Sequence, residues 1–158
     1  MSLYIFTMKK KDWGNAVWLL FHTLAEKIKD EHTAELPMLF THIVSICHNL
    51  PCPDCKQHAS KAMAQVNKNT VTTSKAVLID FLWRFHNDVN KRTKAQIFTK
   101  ESLDKYKTAH TQNVIRHFIS IMNATSNNEK TMLHSFHRNL YMKQFIDYVN
   151  KNIHKYNH

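Results

Sequence analysis

An all-α fold follows from three observations on the sequence. Its 158 residues contain one Gly and three Pro, too few for the tight turns of sandwiches and barrels or for a Gly-rich phosphate loop. Apolar residues recur at intervals of three and four through most of the chain, as they do in helices with one buried stripe. No stretch alternates with period two between turn residues, as half-buried strands would. The expected architecture is a four-helix bundle with a short fifth helix and extra C-terminal helices.

Each element has its own marks. Trp13, Val17, Leu20, Phe21, Leu24 and Ile28 line one face of a first helix. Leu36, Leu39, Phe40, Ile43, Ile46, Cys47 and Leu50 do the same in a second, with Pro37 suited to its first turn and Pro51 stopping it. Cys52-Pro53-Asp54-Cys55 opens a third, expected to run to Val66, because Pro53 fits the first helical position and Asp54 the positive end of the dipole. The polar stretch Asn67 to Ser74 leads to a fourth helix marked by Val77, Leu78, Phe81, Leu82, Phe85 and Val89. Leu103 and Tyr106 begin a fifth, which Val114, Phe118, Ile121 and Met122 either continue or follow as a separate helix. Asn123 to Asn128 reads as a loop, and a last amphipathic segment carries Met132, Phe136, Leu140, Tyr141, Phe145, Tyr148 and Val149.

Composition narrows the function classes. Lys and Arg number 22 against 12 Asp and Glu, a formal charge of +10 with neutral His, which points to nucleic acid, an anionic surface or acidic partners. Three cysteines exclude a multiply stapled extracellular scaffold. No apolar stretch is long enough to span a membrane. The apolar run Leu3 to Met8 precedes the Lys9-Lys10-Lys11 cluster, the reverse of a signal peptide, so the expected location is cytoplasmic.

The chemistry concentrates in Pro51-Cys52-Pro53-Asp54-Cys55-Lys56-Gln57-His58. Two thiols two residues apart at a helix start can exchange electrons as a dithiol and disulfide. Cys52, Cys55 and His58 can also supply three zinc ligands, with His48 or His86 as a fourth. Two unrelated core cysteines are the third reading, and spacing alone leaves all three open. A thioredoxin-like domain needs a βαβ context that the helical segment ahead of the motif does not provide. Cys47, in the apolar stripe of the second helix, reads as a buried core residue.

Three further stretches narrow the choice. Trp18-Leu19-Leu20-Phe21-His22-Thr23-Leu24-Ala25 resembles the first-helix signature of the Erv/ALR family of FAD-linked sulfhydryl oxidases. Leu50-Pro51-Cys52-Pro53-Asp54-Cys55 is similar to that family's redox-active centre, and Lys56-Gln57-His58-Ala59 continues it as in poxvirus members. His86-Asn87-Asp88-Val89-Asn90-Lys91-Arg92 resembles its flavin-binding run. The matches fall in the family's order and cover Trp13 to Tyr106, which divides the chain into a bundle, residues 1–107, and a C-terminal helical extension, residues 108–158, packed on the bundle or at a subunit interface.

The resemblance implies a thiol oxidase that passes electrons from a protein dithiol through the CxxC pair to FAD and then to oxygen, giving hydrogen peroxide. It makes Cys52 the thiol that exchanges with substrate and Cys55 the one placed against the flavin. Trp18 and His22 then pack on the cofactor, as does Val89. His86, Asn87 and Asn90 face the adenine, with Arg92 and Lys94 near the phosphates. Gly14 and Asn15 stand where the family has a Gly-Arg pair, so one phosphate contact loses its Arg. The positions of the family's structural disulfide are Trp83 and Lys100 here, and no N-terminal shuttle pair is present. Substrates would reach Cys52 directly or through a thioredoxin-like carrier. Such shuttle-free chains resemble the viral branch of poxviruses, African swine fever virus and iridovirus-like viruses, which implies the host cytoplasm of an infected cell or the virion. A homodimer is also implied, through the first two helices as is common in the family or through an interface that the C-terminal extension creates; no nucleic acid is required. The rival is a basic helical interaction module whose CxxC and His58 hold zinc while it contacts nucleic acid or an acidic partner, although no recognised DNA-binding motif is present.

Overall fold

The computed structural model describes residues 10–125 and 132–158. Seven α-helices appear there: α1 (Lys10–Lys27), α2 (Leu36–Cys47), α3 (Pro53–Ala64), the single turn α4 (Lys68–Val71), α5 (Lys75–Thr93), α6 (Thr111–Thr125) and α7 (Met132–Asn152), with 3-10 turns at Asp30–Glu35, Lys100–Lys107 and Ile153–Lys155. Among the described residues there is no strand, and one isolated antiparallel bridge joins Ile28 to Tyr156.

The helices begin where the local chemistry lets them. Pro37 falls in the first turn of α2 and Pro53 in that of α3, where the missing N–H has no helical partner to lose. Ser74 caps α5 by accepting from Val77 N at 3.2 Å, and Asn67 caps α4 by accepting from Thr70 N at 3.2 Å. α5 ends at Lys94, whose backbone turns left-handed at φ 59°, while Ala95 N donates back to Asn90 O at 2.8 Å.

α1 is the central element. Trp13, Val17, Leu20, Phe21 and Leu24 are all buried, and the helix packs against α5, α6 and the Lys100–Lys107 turn. The expected fifth helix is that 3-10 turn: Leu103 and Tyr106 lie three apart, which aligns them on one side of a 3-10 turn, and only Tyr106 is buried. α6 is separate from it. α6 also extends to Thr125, into the stretch expected to be a loop; the remainder of that stretch lies outside the described residues.

The C-terminal helices pack on the bundle. Val114, Ile115, Phe118 and Met122 of α6 and Tyr141, Met142 and Phe145 of α7 join the core formed by α1 and α2. Across α7, Tyr141 and Tyr148 flank His42 of α2, with ring centroids 6.1 and 4.1 Å away. The chain end is sewn to the end of α1: the buried Lys27 Nζ donates to Lys107 O and to His158 O, each at 2.7 Å, and Asn157 N donates to Lys27 O at 2.7 Å.

Candidate functional site

α1, α3 and α5 enclose one side-open cavity of about 540 Å³ with the end of α2 as its floor, within the size range of sites for sizeable organic ligands. From α1 come Lys10, Gly14 and Trp18, spaced by four and therefore on one stripe, with Lys11 and Asn15 beside them. α5 contributes Phe85, His86, Asp88, Val89, Asn90, Arg92 and Thr93, and α3 contributes Cys55, His58, Ala59 and Ala62. Cys47 and Leu50 close the floor.

The walls differ in chemistry. Trp18 and His86 stack face to face, centroids 4.1 Å apart and planes 8° apart, and Phe85 meets Trp18 edge-on at 5.2 Å. This slab suits a planar heteroaromatic ring. Lys10, Lys11 and Arg92 supply cations on the same cavity, which suits phosphates. Gly14 supplies the sharpest test of fit: a glycine inside a helix costs roughly 1 kcal/mol relative to alanine, yet a Cβ built there would meet no protein atom within 4 Å. No neighbouring protein atom requires the glycine, and the open space beside it is room that a ligand lying against α1 would use. These walls fit a dinucleotide with flat rings and two phosphates, as FAD has.

Behind the slab His22 is buried, and its Nε2 lies 2.9 Å from His86 Nδ1. Tyr106 stacks on His22 at 4.7 Å. Burial, then the proximity of His86 and Lys105, lowers the His22 pKa to about 3, and burial followed by Lys105 lowers that of His86 to about 4. Both rings are thus neutral near pH 7, and one donates to the other. His22 does not line the cavity; it fixes the ring that does.

The dithiol stands at the start of α3. Cys52 is the N-cap and half-buried; Cys55 is buried and opens onto the cavity. Cys55 N donates to Cys52 Sγ at 3.3 Å and Cys55 Sγ–H to the same sulfur at 2.7 Å. The capping turn therefore brings the two sulfurs together while turning one toward the bundle surface and the other toward the cavity. Burial and the Cys52 contacts push the Cys55 thiol up, and Lys10 acts in the opposite direction. Cys47 is buried, with its thiol pushed up to about 12 by desolvation, as an inert core cysteine is.

Most of the residues singled out from sequence meet here: Gly14, Asn15, Trp18, Cys55, His86, Val89, Asn90 and Arg92 all line the cavity. Asn87 does not. It is buried, and its amide binds the Phe98 backbone twice, Nδ2 donating to the carbonyl at 2.8 Å and Oδ1 accepting from the N–H at 2.9 Å. Lys94 also lies outside, closing α5. Sequence reasoning missed Lys10, Lys11, Phe85 and His58 as cavity residues. The four-residue step back from Gly14 would have found Lys10, and the three-residue step from Cys55 would have found His58. As zinc ligands the residues do not converge: His58 pairs with Asp54 at 3.8 Å, His48 with Ser60 at 2.7 Å and His86 with His22. Among the described residues no three metal-binding groups come together, nor is any helix long and apolar enough to cross a membrane.

Comparison with known proteins points the same way. The model of the Erv1 / Alr family matches residues 15–110. A protein of Invertebrate iridescent virus 3 described as a FAD-linked sulfhydryl oxidase is 32% identical over 99 residues, 61% of this chain and 67% of that protein. The FAD-linked sulfhydryl oxidase ERV2 of Saccharomyces cerevisiae is 33% identical over 92 residues, 56% of this chain but 45% of that protein. The FAD-linked sulfhydryl oxidase of African swine fever virus is 27% identical over 106 residues, 66% of this chain and 84% of that protein. No solved structure gives a significant match.

Proposed function

The chain belongs to the Erv1/Alr family, and from that premise we propose that it is a FAD-dependent sulfhydryl oxidase that generates disulfides in protein thiols. The observation that carries the proposal is the dithiol at the head of α3, with Cys55 opening onto a cavity whose Gly14 wall is empty of protein. Bound FAD supplies a two-electron acceptor and the reaction with oxygen that yields hydrogen peroxide.

The chain's own residues do the rest. Cys52, the more exposed of the pair, meets the incoming thiol, and Cys55 is shielded from it. Two exchanges convert a substrate dithiol and the Cys52–Cys55 disulfide into a substrate disulfide and two cysteine thiols, moving two electrons and two protons onto the pair. Trp18 and His86 hold the ring-binding wall flat, His22 fixes His86, and Lys11 and Arg92 offer cations to the phosphates where Asn15 has none. The burial of Cys55 limits the access of water to the reacting sulfur.

The physiological substrate in this proposal is a protein dithiol or a thioredoxin-like carrier, and the place of action is the cytoplasm of an infected cell or the virion, supported by the viral relatives. A homodimer belongs to the same reading, and it would have to use surface that α6 and α7 leave open.

The purified chain is expected to be yellow, with flavin absorbance, and to form one hydrogen peroxide per dithiothreitol oxidised. Stoichiometric zinc without flavin overturns this reading. Cys55→Ala should abolish turnover while retaining FAD, and Cys47→Ser should keep most of the activity; both are read by peroxide formation and flavin content.

A further inference from the structure

We propose that Phe98 is a positioning residue of the cofactor site, its ring bracing the His86 imidazole in the orientation that faces the cavity. The inference rests on the oxidase reading for what the cavity holds, and adds the residue that sets one of its walls. Phe98 lies in the segment between α5 and the Lys100–Lys107 turn and does not itself line the cavity. Its effect on a bound ligand must therefore pass through a side chain that does.

A brace must first be held. The Phe98 carbonyl accepts from Asn87 Nδ2 at 2.8 Å and from Trp83 Nε1 at 2.9 Å, which occupies both of its lone pairs, and its N–H donates to Asn87 Oδ1 at 2.9 Å. Both polar groups of this one backbone unit are thus tied to α5, the helix that also carries His86. Asn87 is buried, so its amide would lose these bonds without gaining water in exchange. One residue on from His86, Asn87 points about 100° further round the helix. The consecutive pair therefore divides the work: His86 faces the cavity, and Asn87 holds the residue behind it.

From that anchor the Phe98 ring lies 5.0 Å from His86, planes 35° apart, and 5.5 Å from His22, both within the range of aromatic ring contacts. His86 then has three neighbours: Trp18 stacked at 4.1 Å, His22 Nε2 at 2.9 Å from its Nδ1, and Phe98. A stack lets a ring turn in its own plane, and a hydrogen bond lets it turn about the bond; the third contact removes the freedom the first two leave. Phe85 serves the other half of the slab, meeting Trp18 edge-on at 5.2 Å. The Phe98 ring is packed in its turn, with Tyr106 at 6.3 Å and Lys105 Nζ 5.4 Å from its centre.

The test is a double-mutant cycle on the full chain. Phe98 is half-buried, so Phe98→Leu retains the fold and an apolar side chain while removing the ring. It should weaken FAD binding to the flavin-stripped protein about three- to tenfold, the size of one aromatic contact. In a His86→Ala background the same change should weaken binding by less than about twofold, because the group it acts through is gone. Phe98→Tyr should bind as the parent does. Equal losses in both backgrounds would make Phe98 a general support of the fold and overturn the proposal, as would parent-like binding by Phe98→Leu. A second readout needs no flavin: nuclear Overhauser contacts between the His86 and Trp18 rings in the ligand-free chain should appear in the parent and in Phe98→Tyr and vanish in Phe98→Leu. Their persistence in Phe98→Leu overturns the proposal whether or not FAD binds. Failure of the oxidase reading looks different, as a parent chain that takes up no FAD.

Discussion

Gly14 shows how a single residue can reveal a ligand. Because its Cβ would meet open space, Gly14→Ala should stabilise the ligand-free chain by about 1 kcal/mol through helix propensity, while weakening FAD binding by crowding the cavity. Melting of the flavin-stripped protein and titration with FAD should move in opposite directions; equal stabilisation of both forms would remove the glycine from the site. The histidine pair makes a second prediction. In the unfolded chain both rings take up protons near pH 6.5, but in the fold His22 and His86 resist protonation down to about 3 and about 4. Between those limits the unfolded state binds more protons, so stability is complete above pH 6.5 and falls as the pH drops toward 4. Thermal melts at pH 7.5, 5.5 and 4.5 should show that decline, and His22→Phe should flatten it. That Trp18 and His86 share one wall was legible in the sequence because motif and helix spacing agree, whereas His22, expected against the cofactor, stands behind that wall. Asn87 was misplaced because its partner is the backbone of Phe98, eleven residues onward, a contact that no local pattern announces.

At the level of elements, that same region fastens the segment between α5 and the Lys100–Lys107 turn. Asn87 grips Phe98 from one side, and Trp83 Nε1 donates to Phe98 O at 2.9 Å. Lys100 lies 5.1 Å from the centre of the Trp83 ring and 3.2 Å from Asp80, so the two positions that resemble the family's disulfide pair are joined by a cation–π contact. The absence of cysteine from both positions was readable in the sequence; the contacts of Lys100 with Trp83 and Asp80 were not, since they depend on the path of the chain between Lys94 and Thr99. Asn87→Ala should cost about 1–3 kcal/mol, because it leaves the Phe98 N–H without its acceptor and the Phe98 carbonyl with Trp83 alone. Lys100→Ala should cost less than about 1 kcal/mol, its contacts being largely exposed. Chemical denaturation of the two variants tests the order, and a larger loss from Lys100→Ala would contradict it.

For the whole molecule, the helical class and the bundle were visible in composition and periodicity, whereas the 3-10 form of the fifth element and the path of α6 and α7 were decided by packing. α6 covers α1, and the last residues hold its buried Lys27. A chain cut after residue 107 would uncover that face and take away one of the two carbonyls that hold Lys27, so it should be largely insoluble or melt far below the full chain, as measured by circular dichroism. An independently folded fragment would show instead that the extension is an appendage.

The clasp between Trp83 and Lys100 bears on how such a catalyst can begin its work. The three cysteines are free thiols, and this fastening of the bundle uses no sulfur. A protein that manufactures disulfides but needed one for its own maturation would depend on an earlier copy of itself. Here that fastening forms without a disulfide, so the first disulfide the chain makes can belong to a client.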